Sequence, residues 1–194
     1  MFGYLEGKLV GLTPTQTYLD VGGVGYDVHI TLHTYERISG MERCLLYTHL
    51  QVREDGWTLY GFASELERET FRKLLSISGV GAATSRLILS SLAPQDLSRI
   101  VANGDSKALE KVKGIGGKTA QRIILELKGK LPEAVSGEFN ILPHNTTEID
   151  ALNALLGLGI GKAMAEAALK KAASLTGDAV VSVEDLIKTA LKNL

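Results

Sequence analysis

The sequence contains one short pattern twice, and this repeat restricts the possible fold more than any other feature. Residues 74–81 read LLSISGVG, and residues 109–116 read LEKVKGIG, 35 positions further on. In each copy an apolar-Gly-apolar-Gly turn separates two stretches with helical periodicity. Glycine tolerates a positive φ and has no Cβ that would keep an anion away from the backbone. The repeat therefore predicts two helix-hairpin-helix units.

Each of these turns leads directly into a helix, whose free N–H groups and positive dipole end would face an anion. A single Gly-x-Gly before a helix is often only a tight turn. Two copies flanked by helices and followed by cations predict sequence-independent binding of the DNA backbone. The candidate binding residues are Gly79, Val80 and Gly81 in the first turn, and Gly114, Ile115, Gly116, Lys118, Thr119 and Arg122 in and after the second.

The two turns differ in charge, and we expect the second to carry more of the binding. Lys118 and Arg122 follow the second turn, whereas residues 82–86 read AATSR and offer fewer cations near the first. The segment Gly117-Lys118-Thr119 also resembles the end of a nucleotide-binding P-loop. That motif needs glycine at position 112, where this chain has Val112, so we predict no ATP hydrolysis.

Charge divides the chain into three blocks. Residues 64–132 contain 12 basic and 7 acidic side chains. Residues 1–63 contain 4 basic and 7 acidic ones, and residues 133–194 contain 5 and 8, which gives the whole chain a net charge of -1. A basic block between two acidic ones indicates where a polyanion would bind.

The first 63 residues have the alternating pattern of β-strands. Residues 24–30 alternate apolar with smaller or polar side chains, and strand-like runs cover 44–52 and 57–62. Between these two runs lies Arg53-Glu54-Asp55-Gly56, and Asp-Gly favours a tight hairpin turn. About five short strands in this length predict a five-stranded OB-fold β-barrel.

From Ser64 onward the pattern is helical. Ser64-Glu65-Leu66-Glu67 has the sequence of a capping box, with Ser64 as the N-cap. Glycines divide the next stretch into five predicted helices, and a further three are predicted to form a small C-terminal bundle. These helices are 65–76, 80–91, 94–102, 105–112 and 117–130, followed by 147–157, 162–174 and 183–193.

The overall prediction is an α+β multidomain protein. It has an OB-fold domain (1–63), a double helix-hairpin-helix domain (64–142), a flexible linker with its core at 143–146, and a three-helix domain (147–194). Prolines and glycine between 132 and 146 suggest that the mobility of the linker extends from residue 132.

Other candidate sites are weaker. Glu54 and Asp55 are interpreted as an exposed polar turn, a metal site or a device that repels phosphate, although two carboxylates without a third ligand bind metal poorly. Cys44 is predicted to be a small buried residue, and the Gly159–Gly161 segment a structural turn. The four histidines form no recognised zinc or catalytic spacing. We therefore predict no catalytic residue, no metal and no cofactor.

Several segments together resemble the bacterial RuvA family, the Holliday-junction recognition subunit of the RuvAB branch-migration complex. They include residues 1–7 (MFGYLEG), Val52 to Gly56, Leu59 to Phe62, both turns, and Lys118 to Arg122. The resemblance extends over essentially the whole chain. It implies a non-catalytic DNA-binding protein of recombination, DNA repair and the SOS response.

The resemblance also implies partners and roles for particular residues. The chain would form a homotetramer, or an octamer of two tetramers, that holds the four-way junction open. Glu54 and Asp55 would be an acidic pin at its centre, favouring strand separation by repelling phosphates. The C-terminal domain would bind RuvB, the hexameric ATPase that drives migration, with Leu191 as the candidate contact. The RuvC resolvase would be a further partner.

The chain departs from the family pattern at both turns. Ala83 and Gly117 stand where many relatives have lysine, so phosphate contacts there must weaken or come from elsewhere. Two alternatives remain: a helix-hairpin-helix nuclease or glycosylase, and a single-strand-binding OB protein, which would need exposed aromatics for base stacking. A single cysteine, the lack of a membrane-length apolar run and the lack of a signal peptide predict a cytoplasmic protein without membrane contact.

Overall fold

A closed five-stranded barrel is the first element of the fold in the computed structural model, which describes residues 2–54, 56–131, 146–176 and 182–193. Neighbouring strands are antiparallel except for the parallel pair β3–β5, and the order around the barrel is β1-β2-β3-β5-β4. This confirms the predicted OB-fold barrel. The strands are β1 (Tyr4–Thr13), β2 (Gln16–Val21), β3 (Val24–His29), β4 (Arg43–Arg53) and β5 (Gly56–Phe62).

Alternating apolar side chains fill the barrel, and two glycines let its strands approach. A Cβ on Gly7 would lie 2.2 Å from the Asp20 carbonyl oxygen, and one on Gly61 would lie 2.5 Å from Val28 Cγ1. Cys44 is buried in β4, as predicted, and this burial raises the pKa of its thiol. The interior is made of Leu5, Leu19, Val28, Ile30, Ile38, Cys44, Leu46 and Leu59.

A helix that the sequence analysis did not predict, α1 (Leu32–Ile38), connects β3 to β4. Thr31 is its N-cap and accepts a hydrogen bond from the Thr34 N–H at 2.9 Å. The expectation of strands alone in residues 1–63 was therefore wrong. Seven residues make only two helical turns, which is too short for a clear hydrophobic periodicity.

The five predicted helices of the middle region are present; four are shorter than predicted, and α4 is one residue longer. They are α2 (Glu65–Leu75), α3 (Ala82–Ser91), α4 (Pro94–Asn103), α5 (Ser106–Glu110) and α6 (Gly117–Leu127). Val80 and Val112, predicted to be helical, lie in turns and are buried there instead. Helix α6 ends before Gly129, whose φ of 71° is left-handed.

One hydrophobic core joins these helices to the barrel. Phe71 of α2 packs against Phe62 and Tyr60 of β5, with ring centroids 4.9 and 5.1 Å away. The same cluster continues through Leu74, Ile88, Leu97, Leu109 and Ile123, all fully buried. Each Å² of apolar surface that this core buries stabilises the folded state by about 25 cal/mol. The barrel and the middle helices therefore stabilise each other.

A buried carboxylate strengthens the same joint. The Glu67 carboxylate accepts hydrogen bonds from the Thr31 hydroxyl at 2.5 Å and the Thr34 hydroxyl at 2.8 Å, both on the barrel side. Its own N–H donates to Ser64 Oγ at 3.2 Å, which forms the N-cap half of the predicted capping box. The side chain itself turns to α1, so a residue predicted to cap a helix locally also connects two domains.

Arg68 attaches the start of the chain to α2. Its Nη1 donates to the Gly3 carbonyl oxygen at 2.8 Å, and its Nη2 bonds Glu65 at 2.6 Å. The guanidinium carbon lies 5.5 Å from the centre of the Tyr47 ring. These contacts hold strand β1 against the helical domain.

The C-terminal unit contains three helices, as predicted: α7 (Thr146–Gly157), α8 (Lys162–Thr176) and α9 (Val183–Leu191). Its core is small and rich in alanine, and includes Ala151, Leu155, Ala165, Ala168, Ala172, Leu186 and Ala190. Most of the predicted linker lies outside the described residues, and α7 begins at Thr146. Among the described residues, no helix has both the length and the hydropathy to cross a membrane.

Burial raises the pKa of the Glu67 carboxyl, against the opposing effect of its threonine donors. A raised pKa means that folding favours the protonated acid, so this contribution to stability is present at low pH and is lost as the pH rises through the folded-state pKa. We expect the free energy of unfolding of the wild type, relative to Glu67→Gln, to fall as the pH rises from 4 to neutrality. Urea unfolding across this range measures it, and a pH-independent difference would contradict it.

Candidate nucleic-acid interface

The two glycine turns have the same backbone geometry. Gly79 has φ 85° and Gly114 has φ 87°, a left-handed conformation that favours glycine. The next residue, Val80 or Ile115, is buried, and its N–H donates at 3.0 Å to the carbonyl oxygen three residues earlier. An apolar side chain thus anchors each turn in the core.

The second glycine of each turn, Gly81 or Gly116, is the N-cap of the following helix. Its φ is -87° in both turns, and no side chain within the described residues caps α3 or α6. A Cβ at either position would meet no atom within 4 Å, so neither space nor backbone conformation requires glycine. Serine or aspartate would cap these helices better, by a few tenths of a kcal/mol. Glycine here leaves the helix N–H groups open to a ligand.

Arg122 connects the two turns. Its Nη1 donates at 3.0 Å to the carbonyl oxygen of Ser78, the residue before Gly79. A cavity of about 130 Å³ next to it is lined by Ser78, Gly79, Lys118, Thr119 and Arg122. The structure thus brings predicted residues of both turns together, and it gives Arg122 a structural contact that the sequence analysis missed. A guanidinium has five N–H donors, so others remain for an anion.

The cations are distributed unequally between the turns. Lys118 is the second residue of α6, whereas the equivalent residue of α3 is Ala83. The nearest arginine of α3, Arg86, bonds His29 Nδ1 of the barrel at 2.9 Å. Gly117, the other position where many relatives have lysine, lies near an acidic side chain: a Cβ there would lie 3.5 Å from a carboxylate oxygen of Glu110. The difference in charge predicted from sequence is therefore also present in the folded protein.

The β4–β5 ribbon reaches the first turn from the barrel side. Arg53 pairs with Gly56 at its end, so Glu54 and Asp55 form the connection, and Glu54 is exposed. Asp55 lies outside the described residues. A groove of about 390 Å³ lies between the ribbon and Gly81 to Ala83. Sequence reasoning could not find this groove, because its two sides come from separate parts of the chain.

Known proteins match the chain along its whole length. A model described as "RuvA N terminal domain" matches residues 1–61, one described as "SAM-like Helix-hairpin-helix tandem" matches 71–130, and one described as "RuvA, C-terminal domain" matches 149–194. A protein of Christiangramia forsetii is 44% identical over 195 residues, covering 100% of both chains. One of Porphyromonas gingivalis is 44% identical over 207 residues, also covering 100% of both. Both are named "Holliday junction branch migration complex subunit RuvA".

The chain belongs to the RuvA family. A further relative from Chromobacterium violaceum, 44% identical and with the same name, is matched over 100% of this chain and 98% of its own. The family assignment made from sequence motifs is confirmed. RuvA-family membership agrees with the observed order of barrel, helix-hairpin-helix tandem and C-terminal helices.

The C-terminal unit contains two more features that the sequence analysis discussed. Leu191 on α9 is 42% exposed, whereas Leu186 and Ala190 of the same helix belong to the core. The third glycine turn has Gly159 at φ 86°, similar to the other two. The lysine that follows it, Lys162, forms an ion pair with Glu166 at 3.7 Å. This pairing reduces the positive charge that Lys162 could offer to an anion. The interpretation of this segment as a structural turn stays a prediction.

Replacing Arg122 by alanine should loosen the first turn, since the Ser78 carbonyl loses its donor. We expect faster amide hydrogen exchange in residues 78–81, measured by mass spectrometry on the free protein. Lys118→Ala is the matched control, because Lys118 lines the same cavity, whereas the hydrogen bond to the Ser78 carbonyl comes from Arg122. Equal exchange in wild type and Arg122→Ala would mean that the contact does not hold the turn.

Proposed function

We propose that this protein is the Holliday-junction-binding subunit of a branch-migration complex, which holds the four-way junction open and recruits the RuvB ATPase. The observation that carries the proposal is the pair of uncapped helix starts at Gly81 and Gly116. Both are preceded by the same left-handed turn, and Arg122 connects them. The relatives' names support the junction as the DNA form.

The chemistry of these turns suits the DNA backbone rather than the bases. Backbone N–H groups at a helix start bind phosphate oxygens, which are the same in every sequence. Lys118, Thr119 and the remaining donors of Arg122 add charge and hydrogen bonds beside the second turn. Binding of this type releases counterions and weakens steeply with salt.

Recognition of the junction needs more than phosphate binding, because every duplex offers phosphates. We infer that Glu54 and Asp55 act as the acidic pin at the crossover. Glu54 is exposed at the end of the ribbon, next to the groove that borders the first turn. Carboxylates there would repel phosphates and keep the strands of different arms apart.

Assembly of four copies would place four pins and eight turns around one junction. The outer surface of the barrel supports self-association, because it exposes large apolar side chains. Tyr4 and Val10 on β1 are 60% and 65% exposed, and Leu45 on the adjacent β4 is 37% exposed. Apolar surface of this kind favours burial between subunits. A homotetramer, alone or paired into an octamer, is the proposed state.

The C-terminal helices are the proposed docking site for RuvB, and RuvC is a proposed further partner. Leu191 is half-exposed on α9, and Ile149, Leu158 and Met164 are between 52% and 64% exposed on the same unit. In this proposal the protein is not an enzyme itself: RuvB hydrolyses ATP, and this chain binds the DNA. The proposed location is the cytoplasm.

A gel-shift comparison tests the proposal. A four-way junction should bind more tightly than linear duplex or single strands of equal length, and RuvB should produce a further shift. Equal affinity for duplex and junction would refute junction recognition, and a preference for single strands would favour an OB-type single-strand binder. Cleavage of labelled junction with Mg²⁺ would support the alternative nuclease, and phosphate release from ATP by the pure protein would contradict its proposed role.

Charge at the two turns can be removed or added. Lys118→Ala should weaken binding to all DNA forms and lower the slope of log affinity against log salt by about 0.9 for each phosphate that the protein no longer neutralises. Ala83→Lys should raise affinity and slope, because it adds a cation to the first turn of α3. Fluorescence anisotropy over a range of salt concentrations measures both. Lys107→Ala, in the short helix α5, is the control; an unchanged slope for Lys118→Ala would contradict the assignment.

The acidic pin is tested by neutralising it. The double change Glu54→Gln and Asp55→Asn should leave junction binding intact or tighter, because it removes repulsion between carboxylates and phosphates. Branch migration with RuvB should change at the same time. The control is Glu42→Gln, an exposed carboxylate beyond the other end of β4. A large decrease of junction affinity in the double variant would show that the two residues attract DNA or hold the structure.

A further inference from the structure

The groove between the barrel and the first glycine turn is lined by residues to which the proposed acidic pin gives no role. Six of its lining residues are Gln51, Arg53, Trp57, Thr58, Gly81 and Ala83. The first four come from the β4–β5 ribbon, and the last two belong to the turn and to α3. The groove thus combines a cation, an exposed aromatic residue and an uncapped helix start.

Comparison of the two turns indicates what Arg53 does there. In α6 the second helical residue is Lys118, whereas in α3 it is Ala83. The arginine of α3, Arg86, is bonded to His29 of the barrel. Arg53 is the cation that lines the groove beside the first turn. Arg53 can therefore offer a cation to the first site, as Lys118 does to the second.

Trp57 is unusual for its exposure. It is the only tryptophan of the chain, and its side chain is 76% exposed. Its cross-strand partner Val52 is 60% exposed, whereas Leu59, two residues further along β5, is buried. The ribbon therefore projects beyond the filled part of the barrel and carries an uncovered apolar pair at its end.

The strand register places these residues on two faces of the ribbon. Arg53 and Thr58 belong to pairs on one face, and Val52 and Trp57 form a pair on the other. Trp57 is also among the residues that border the groove, so the two faces meet at the end of the ribbon. The end of the ribbon can thus offer charge to a phosphate and a flat apolar surface to a base.

We propose that the end of the ribbon and the first turn form one nucleotide site. Arg53 neutralises a phosphate held by the N–H groups of α3, and Trp57 stacks on an unpaired base next to it. Stacking on an aromatic side chain needs a base that is not covered by neighbouring pairs. This inference rests on the proposed function, because the open centre of a junction is where such a base is available.

The single tryptophan makes the site directly measurable. Titration of the wild-type protein with a four-way junction should quench the Trp57 fluorescence, because the ring stacks on a base. Linear duplex at saturating concentration should quench it much less. A junction with abasic positions around the crossover should bind but show little of the quenching.

Variants separate stacking from charge. Trp57→Leu should weaken junction binding about 5-fold or more, the lower end of what one stacked base contributes, and Trp57→Phe should restore most of it. Arg53→Gln should lower the salt slope by about 0.9 per phosphate. The controls are Tyr18→Leu, another exposed aromatic on the barrel, and Arg43→Gln, an exposed arginine at the opposite end of β4. Circular dichroism melts verify folding.

The outcomes distinguish this proposal from the one that it rests on. Tight junction binding without quenching, or a folded Trp57→Leu variant with wild-type affinity, overturns the nucleotide site and leaves junction binding intact. A fluorescence change that follows protein concentration without DNA would place Trp57 between copies of the chain and would also overturn it. Failure of the wild type to prefer junctions would instead refute the proposed function.

Discussion

Within the described part of the chain, two helices begin without a side-chain cap, and the rest of the structure depends on the constraint that this imposes: the start of a helix must stay uncovered in a folded protein. Val80 and Ile115 meet it by anchoring the turns in the core, so that Gly81 and Gly116 can remain bare. The left-handed glycine before each anchor directs the chain into the next helix. Without the buried anchor, an uncapped helix start would fray.

The position of these helix starts relative to the barrel depends on a shared core. Phe71 packs on Phe62 and Tyr60, and Glu67 receives hydrogen bonds from Thr31 and Thr34 across the same joint. Arg122 then fixes one turn to the other. The β4–β5 ribbon, the groove and both turns consequently belong to one connected unit, in which the spacing between the two helix starts is set by packing rather than by loops.

Much of this arrangement was predictable from the sequence, because it depends on local patterns. Alternation indicated the barrel strands, glycines marked the helix breaks, and the repeat identified both turns. Helix α1 was missed because seven residues carry too little periodicity. The contacts from Arg122 to Ser78, from Arg86 to His29 and from Glu67 to Thr31 join positions that are 36 to 57 residues apart. No local pattern encodes such pairs. The different contacts of Arg122 and Arg86 therefore became visible only in the folded chain.

The bare helix starts also have a thermodynamic consequence. Gly81 and Gly116 omit side-chain caps worth a few tenths of a kcal/mol each, although the space and the backbone angles would accept them. In the complex, a DNA phosphate would complete the helix, and ligand binding would recover stability that the free protein lacks. Selection for heat resistance alone would therefore be expected to place serine or aspartate at these positions. Such a protein would have a higher free energy of unfolding and a lower affinity for DNA, because the cap and the phosphate compete for the same N–H groups.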